Sequence, residues 1–273
     1  MTALAINTDV GEGFGVWGPA DEGDLLDQVT AANVACGFHA GDPDILRRTC
    51  EASAARGVAI GAQVSYRDLA GFGRRFIDVP KKTLVNELLY QIGALEVFAR
   101  LAGSRVSYLK AHGALYNAAA HHVGHAEAIV EAVTLYDRGL PLLCQPRTVV
   151  WERAVEAGCR PLAEAFADRG YTDEGLLVPR SAPGALVTDP AEAARRALRM
   201  AQTGTVVSVS GRTVRIAPDG GEVAALCVHS DTPGAVAITA AVRTSLASAG
   251  ITVSTPAGLL GAAPAAERPE VRP

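Results

Sequence analysis

The stretch from Val29 to Val64 decides the fold of this chain. It opens with the β-branched run VTAANVAC at residues 29–36 and closes with a second apolar run, VAIGAQV, at residues 58–64. Between them, Asp42-Pro43 predicts the start of a helix, with Asp as N-cap and Pro in the first turn, and Gly57 predicts its end. Strands separated by helices are typical of a mainly parallel sheet that is covered on both faces.

The same alternation continues along the chain. The residues between Pro80 and Leu101 place apolar side chains at helical spacing and predict an amphipathic helix. Further helices are predicted at Glu127–Tyr136, at Val149–Ala157, from Asp189-Pro190, and after a Thr232-Pro233 cap. Further strands are predicted at Ala3–Thr8, Val106–Leu109, Leu140–Cys144, Pro161–Phe166, Val206–Val209, Thr213–Ile216 and Ala224–Val228.

About seven β/α units favour a barrel or distorted barrel over a short open sheet. The chain has 273 residues, and no linker rich in Pro, Gly or Ser divides it. We therefore expect residues 1–255 to form a single α/β domain. Residues 256–273 are rich in Ala, Pro and charge and are predicted to be a disordered tail.

Composition excludes several classes of protein. The 25 basic and 29 acidic residues give a net charge of -4, which argues against a generic binder of nucleic acid or anionic membrane. The N-terminus lacks the pattern of a signal peptide, and no run of about 18 apolar residues predicts a membrane span. Five cysteines without C-x-x-C spacing favour a reduced, cytoplasmic protein: Cys36, Cys50, Cys144, Cys159 and Cys227.

Polar side chains follow four of the predicted strands, where active sites of parallel α/β folds lie. These loops bring His39, His112 and His229 to the same rim, each beside small residues. Convergent polar groups on one rim are what a binding site requires. The four segments are Asn7–Gly15, Cys36–Asp42, Lys110–Asn117 and His229–Asp231.

Lys110 is one of only three lysines and comes directly after an apolar strand, which suggests a compact or tunable charge in a site. A structural ion pair is the alternative.

Arg74 and Arg75, in a glycine-flanked loop, are suited to a carboxylate or phosphate. His121, His122 and His125 stand at a predicted helix entrance and are expected to be surface residues. The sequence has no G-K-[ST], H-E-x-x-H or G-x-S-x-G motif.

Six longer strings stand in the sequence: GEGFG at residues 11–15, ANVACGFHAGDP at 32–43, GFGRR at 71–75, YQIGAL at 90–95, HGALYN at 112–117 and VPR at 178–180. Strings of this length and order are specific. In the same order, from about Ile6 to Ile251, the sequence resembles the LamB/YcsF family.

The resemblance implies a distorted, TIM-like β/α barrel of the glycoside hydrolase/polysaccharide deacetylase type. It also implies hydrolysis of the lactam 5-oxo-L-proline (pyroglutamate) to L-glutamate by a 5-oxoprolinase, coupled to hydrolysis of ATP with Mg²⁺. The family supplies the first of three kinds of subunit and works with B and C subunits, so this chain is expected to need both. A homo-oligomer is compatible with the sequence.

Opening a stable lactam requires activation of its carbonyl oxygen, cations for the anionic groups, and proton transfer. For catalysis we expect Asp9, Glu12, His39, Lys110 and His112. For binding substrate or phosphate we expect Asn7, Gln63, Arg74, Arg75, Tyr116, Asn117, Arg180, His229 and Asp231.

Two departures from the family pattern stand at Gln63, where the family usually has His, and at Ala111, where it usually has Pro. Gln63 can form hydrogen bonds, but it cannot titrate and is a poor metal ligand, so a different lactam or amide substrate stays open. Two other functions also stay open. One is a metal-dependent deacetylase or amide hydrolase with Asp9, His39 and His112 as ligands, and the other is a lactam-binding subunit without catalysis.

Overall fold

Short strands and helices alternate along the chain in the computed structural model, which describes residues 3–18 and 22–261. The strands are β1 (Ala3–Val10), β2 (Ala31–Ala35), β3 (Ala59–Val64), β4 (Val106–Ala111), β5 (Pro141–Cys144), β6 (Arg160–Phe166), β7 (Thr205–Val207), β8 (Thr213–Arg215), β9 (Ala225–Cys227) and β10 (Thr252–Val253). The helices are α1 (Glu22–Leu26), α2 (Pro43–Ala55), α3 (Lys81–Leu101), α4 (Gly113–Ala119), α5 (Val123–Asp137), α6 (Val149–Glu156), α7 (Pro190–Thr203), α8 (Ala235–Ser248) and α9 (Pro256–Leu259). The predicted elements are present, and the short helices α1 and α4 are additions within polar loops.

Seven parallel strands close into a barrel. They follow the order β1-β2-β3-β4-β5-β6-β9, and β9 pairs back onto β1 through Ala5 with Ala225 and Asn7 with Cys227. The strands β7 and β8 form a separate antiparallel pair, and β10 pairs with the first residues of β1. The predicted barrel of about seven units is therefore confirmed.

Helix caps explain several of the element boundaries. The Asp42 carboxylate accepts hydrogen bonds from the backbone N–H groups of Asp44 and Ile45 at 3.0 and 2.9 Å, so α2 begins where predicted. The predicted cap of α8 is wrong. Gly234 is its N-cap residue, and the Thr232 hydroxyl instead donates to Asp168 at 2.6 Å.

The barrel interior has an apolar layer and a polar layer. Six buried residues form a small cluster apart from the main core, toward the N-terminal ends of the strands: Ala5, Ala31, Tyr108, Leu143, Leu162 and Ala225. Because side chains on a strand alternate between its two faces, the residues two positions later face the same interior. On five of the strands these are Asn7, Asn33, Lys110, Glu164 and Cys227. Polar groups thus occupy the half of the interior nearer the C-terminal ends of the strands.

The end of the described chain is more ordered than predicted. Residues 256–261 were expected to belong to a disordered tail, but Pro256–Leu259 form α9. Leu259 and Leu260 pack against the interior apolar cluster, which would otherwise be open to water at that end of the barrel. The rest of the predicted tail, residues 262–273, lies outside the described residues.

The helices cover the outside of the barrel with their apolar faces. Leu84, Leu88, Ile92 and Leu95 of α3 are fully buried in the main core, as the spacing predicts. Among the described residues, no helix combines the length and apolar composition that a membrane crossing requires.

The close contact between Gly61 and Tyr108 gives a prediction about stability. These residues are neighbours on β3 and β4, and a Cβ atom at position 61 would overlap the Tyr108 ring. We expect Gly61→Ala to lower the free energy of unfolding by about 1–3 kcal/mol, as overpacked cores do. Urea unfolding followed by circular dichroism measures the change.

Gly93→Ala is the matched control, because position 93 is an exposed site within α3 with open space around it. It should raise the free energy of unfolding by about 0.5–1 kcal/mol, the gain in helix propensity. Equal effects of the two substitutions would contradict the packing argument.

Candidate active site

Lys110, near the end of β4, is a buried cation between two carboxylates. Its Nζ lies 2.8 Å from Glu164 Oε1 and 3.7 Å from Asp9 Oδ1, and it donates a hydrogen bond to Asn7 Oδ1 at 3.1 Å. Burial alone would lower the pKa of Lys110, but the negative charges of Glu164 and Asp9 beside it raise the pKa well above its usual value. The ammonium therefore stays charged at neutral pH.

A hydrogen-bonded chain below Lys110 orients Asp9. Asn33 Nδ2 donates to Asn7 Oδ1 and to Asp9 Oδ1, each at 2.8 Å, and the Tyr108 hydroxyl donates to Asn33 Oδ1 at 2.7 Å. Burial would raise the pKa of Asp9, but the charge of Lys110 and the hydrogen bond from Asn33 contribute to lowering it. Asp9 is therefore an ionised carboxylate, fixed in orientation.

The amide of Gln63 joins three other candidate residues. Its Nε2 donates to Glu12 Oε1 at 3.1 Å and lies 3.1 Å from His112 Nδ1, while its Oε1 lies 3.2 Å from His39 Nε2. The two imidazole rings stack with centroids 4.0 Å apart, and His112 Nε2 lies 3.0 Å from the Phe72 carbonyl oxygen. These contacts assign the proton of each ring to Nε2, with His112 Nδ1 accepting from Gln63.

Burial shifts the titration of this cluster. It holds the pKa of His112 well below its ordinary value, with a further contribution from the neighbouring His39 ring, and it raises the pKa of Glu12. A neutral imidazole 3.3 Å from a carboxyl group of raised pKa is suited to proton transfer. Gly73, at φ +65°, allows the covering loop to approach, because a Cβ atom there would lie 2.9 Å from both His39 and His112.

His229 and Asp168 form a second acid–base pair at the mouth of the barrel. His229 Nδ1 lies 3.1 Å from both carboxylate oxygens of Asp168, which also accepts hydrogen bonds from the His229 backbone N–H and the Thr232 hydroxyl. Burial would raise the pKa of Asp168, but the contacts with His229 and Thr232 lower it. The ionised Asp168 assigns the His229 proton to Nδ1 and leaves Nε2 available on the cavity side.

Asp231 ties two arginines together across the mouth. Arg180 donates to its two oxygens at 2.9 and 3.1 Å, and Arg74 donates at 2.5 Å. Arg75 is different: it lies outside the cavity and pairs with the buried Asp68 carboxylate, which closes the preceding turn. Its expected role in binding substrate is therefore not supported by its position.

A cavity of about 420 Å³ opens at this end of the barrel. Of the predicted site residues, its wall includes Asp9, Gln63, Arg74, Lys110, His112, Tyr116, Asn117, Arg180 and His229. Five others lie behind or beside the wall: Asn7, Glu12, His39, Arg75 and Asp231. His39 is fully buried beside His112, and Asn7 supports Lys110 from below.

The sequence suggested Asp9, His39 and His112 as metal ligands, but the fold brings Glu12 and not Asp9 next to the two histidines. Glu12, His39 and His112 offer ligand atoms within 4.8 Å of one another, whereas Asp9 lies beside Lys110. The Gln63 amide occupies the point where these three side chains converge, and its N–H groups face Glu12 and His112. An amide donor there takes the lone pairs that a cation would need. The arrangement of Glu12, His39 and His112 around this amide therefore does not fit a metal ion.

Four functional candidates were missed from the sequence. Glu164 stands inside an apolar strand and gives no rim signal, and Asn33 lies in a similar run. Asp168 and Arg169, which lines the cavity, follow β6 beyond the segments singled out. The structure also corrects the expectation for His125, which is buried and lies 2.7 Å from the Tyr66 hydroxyl through Nδ1. The usable signal for Glu164 was its charge within an otherwise apolar strand.

Comparison with known proteins gives one family. The sequence profile of the LamB/YcsF family matches residues 4–260. The chain is 52% identical over 253 residues to the 5-oxoprolinase A subunit of Kocuria rhizophila, covering 93% of this chain and 98% of that one. It is 54% identical over 251 residues to the 5-oxoprolinase A subunit of Streptomyces avermitilis, covering 92% and 98%.

Solved structures agree with the sequence comparisons. A lactam utilization protein from Thermus thermophilus superposes with a TM-score of 0.86 at 40% identity, covering 93% of this chain and all of that one. A putative cellobiose-phosphate cleavage protein from Enterococcus faecalis gives a TM-score of 0.53 at 13% identity, covering 94% and 98%, which shows a common fold only.

The buried His125 gives a prediction about pH. Burial, followed by repulsion from His122, lowers its pKa below the ordinary value of 6.5. The unfolded chain therefore takes up a proton near pH 6.5 that the folded chain refuses, so stability falls as the pH drops below 6.5. We expect His125→Gln to make this fall shallower, by at most about 1.4 kcal/mol per pH unit.

Urea unfolding at several pH values between about 7.5 and 5.5, which bracket the ordinary histidine pKa, measures the slope. His121→Gln, at an exposed position two residues before the α5 helix, is the matched control and should keep the wild-type slope. The same slope in His125→Gln as in wild type would contradict the argument.

Proposed function

The chain belongs to the LamB/YcsF family, and on this basis we propose that it is the A subunit of a 5-oxoprolinase and acts on a lactam. The observation that carries the proposal is the cavity at the mouth of the barrel. It combines cations, an oriented histidine and buried carboxylates within a volume of about 420 Å³. That volume is in the range of small-molecule sites.

The cations suit an activated lactam. 5-Oxo-L-proline carries one carboxylate, and activation of its carbonyl oxygen by phosphorylation would add further negative charge. Lys110 stays charged at the wall of the cavity and can neutralise charge that develops on that oxygen. Arg74 and Arg180 are positioned at the mouth for a phosphoryl group, in exchange for their contact with Asp231.

Two pairs of side chains carry the proton transfers, His229 with Asp168 and His112 with Glu12. His229, held by Asp168 with Nε2 on the cavity side, is suited to take a proton from water. The Glu12–His112 pair is suited to supply a proton to the ring nitrogen as the amide bond opens. Asp9 is kept ionised by Lys110 and positions that cation rather than titrating near neutral pH.

ATP dependence and the partner subunits are part of the same proposal. The relatives are named as the A subunit of a 5-oxoprolinase, which supports a complex of several subunits. We propose that B and C subunits complete the enzyme and that ATP with Mg²⁺ supplies the activating phosphoryl group there. The cationic wall of the cavity fits that group once it is on the lactam.

Reconstitution tests this function. The chain is combined with B and C subunits, and glutamate release from 5-oxo-L-proline is measured with and without ATP. The same B and C subunits combined with the Kocuria rhizophila relative show that the assay is competent. We expect ATP-dependent glutamate release, and its absence in a competent assay would contradict the proposal.

Variants of the Asp168–His229 pair separate catalysis from binding alone. We expect His229→Gln and Asp168→Asn to lower kcat by about 10²- to 10⁴-fold, the usual contribution of general acid–base catalysis. Lys82→Gln, at an exposed position at the start of α3, is the control and should keep full turnover. If the His229 and Asp168 variants lose affinity while kcat stays unchanged, the chain is a lactam-binding subunit instead.

A further inference from the structure

Arg169 is a buried cation in the wall of the cavity. It lies three residues after the end of β6 and is only 5% exposed. Its Nε donates to the Ala185 carbonyl oxygen at 3.1 Å and its Nη2 to the Val178 carbonyl oxygen at 2.7 Å. These two neutral acceptors fix the plane of the guanidinium but do not balance its charge.

The charge of Arg169 has no ion-pair partner in the part of the chain that the structure describes. No carboxylate of residues 3–18 or 22–261 forms a salt bridge with it, and its Nη1 makes no hydrogen bond within those residues. The other cations of the cavity wall differ, because Lys110 is paired with Glu164, and Arg74 and Arg180 are paired with Asp231.

A buried charge without a partner is strongly unfavourable, so proteins keep one mainly where a ligand completes it. Burial, followed by the positive charge of Arg180, lowers the pKa of Arg169, and the nearby Asp168, which is bound to His229, offsets only part of this effect. The guanidinium nevertheless remains positive, because an arginine side chain keeps its proton in proteins.

We propose that Arg169 binds the carboxylate of the lactam substrate, an inference that rests on the proposed function. Its free Nη1 offers two N–H donors at most, which suits one carboxylate better than the three oxygens of a phosphoryl group. A carboxylate held there directs the ring toward Lys110 and His229, which line the same cavity. Arg169 is then the residue that distinguishes 5-oxoproline from a lactam without a carboxylate.

The test compares two lactams that differ only in this group. Binding of 5-oxo-L-proline and of 2-pyrrolidone to the full chain is measured by ligand-observed NMR titration. We expect wild type to prefer 5-oxo-L-proline by about 10- to 100-fold, the range of a charge-assisted hydrogen bond in a buried site. Arg169→Gln should remove this preference, and Arg169→Lys, which keeps the charge but not the planar fork, should restore part of it.

The control is Arg199→Gln, which removes an equal charge from α7 outside the cavity, where Arg199 contacts Thr205 and Thr213. It should keep the wild-type preference. Thermal unfolding of each variant identifies any that fails to fold, and the preference of wild type still tests the proposal in that case.

Each outcome has a distinct meaning. If wild type binds neither lactam, the proposed function fails together with the inference. Equal binding of the two lactams by wild type overturns the inference alone. So does a preference that survives in both Arg169 variants, or one that is lost in Arg180→Gln and kept in Arg169→Gln, because the carboxylate would then lie at the mouth.

Discussion

The ion pair between Lys110 and Glu164 is the constraint on which the rest of the site depends. The two side chains meet at 2.8 Å inside the barrel, where both are almost fully buried. Each is tolerable only because the other is present. Asp9 and Asn7 are in turn arranged around the ammonium, and Asn33 and Tyr108 around them, so one buried cation orders the polar half of the barrel interior.

This inner network contrasts with the polar groups above it. The inner residues lie on strands and are fixed by mutual hydrogen bonds, as a preorganised site requires. The outer groups lie on loops: Arg74, Arg180 and Asp231 come from three separate segments and are partly exposed. A contact that joins loops across the mouth can be exchanged for a substrate anion, whereas breaking the inner ion pair leaves a buried charge without its partner. The fold therefore places rigidly held polar groups on the strands inside the barrel and exchangeable ion pairs on the loops at its mouth.

Much of the fold was predictable because it depends on periodicity and caps. The strand–helix alternation predicted the seven-stranded barrel, and Asp42 fixed the start of α2. The rim residues were predictable for the same reason, since polar loops after strands converge. The partner that each charged side chain contacts in the folded chain was not predictable. Adjacent arginines diverge, with Arg74 at the cavity and Arg75 on Asp68, and Glu164 is hidden in a strand that reads as apolar core. The tail boundary was missed because the partner of Leu259 is the barrel interior, whose residues lie far away in the sequence.

The most direct measurement of the central claim is a double-mutant cycle on Lys110 and Glu164, read out as the free energy of unfolding in urea. The account predicts that Lys110→Met and Glu164→Leu each lower this free energy by about 3–5 kcal/mol, because each removes one member of the ion pair and leaves the other charge buried without it. It predicts that the double variant regains part of that loss, since both members of the ion pair are gone and only Asp9 is left without its cation. Losses that simply add in the double variant would show that the two groups do not depend on each other, and would contradict the account.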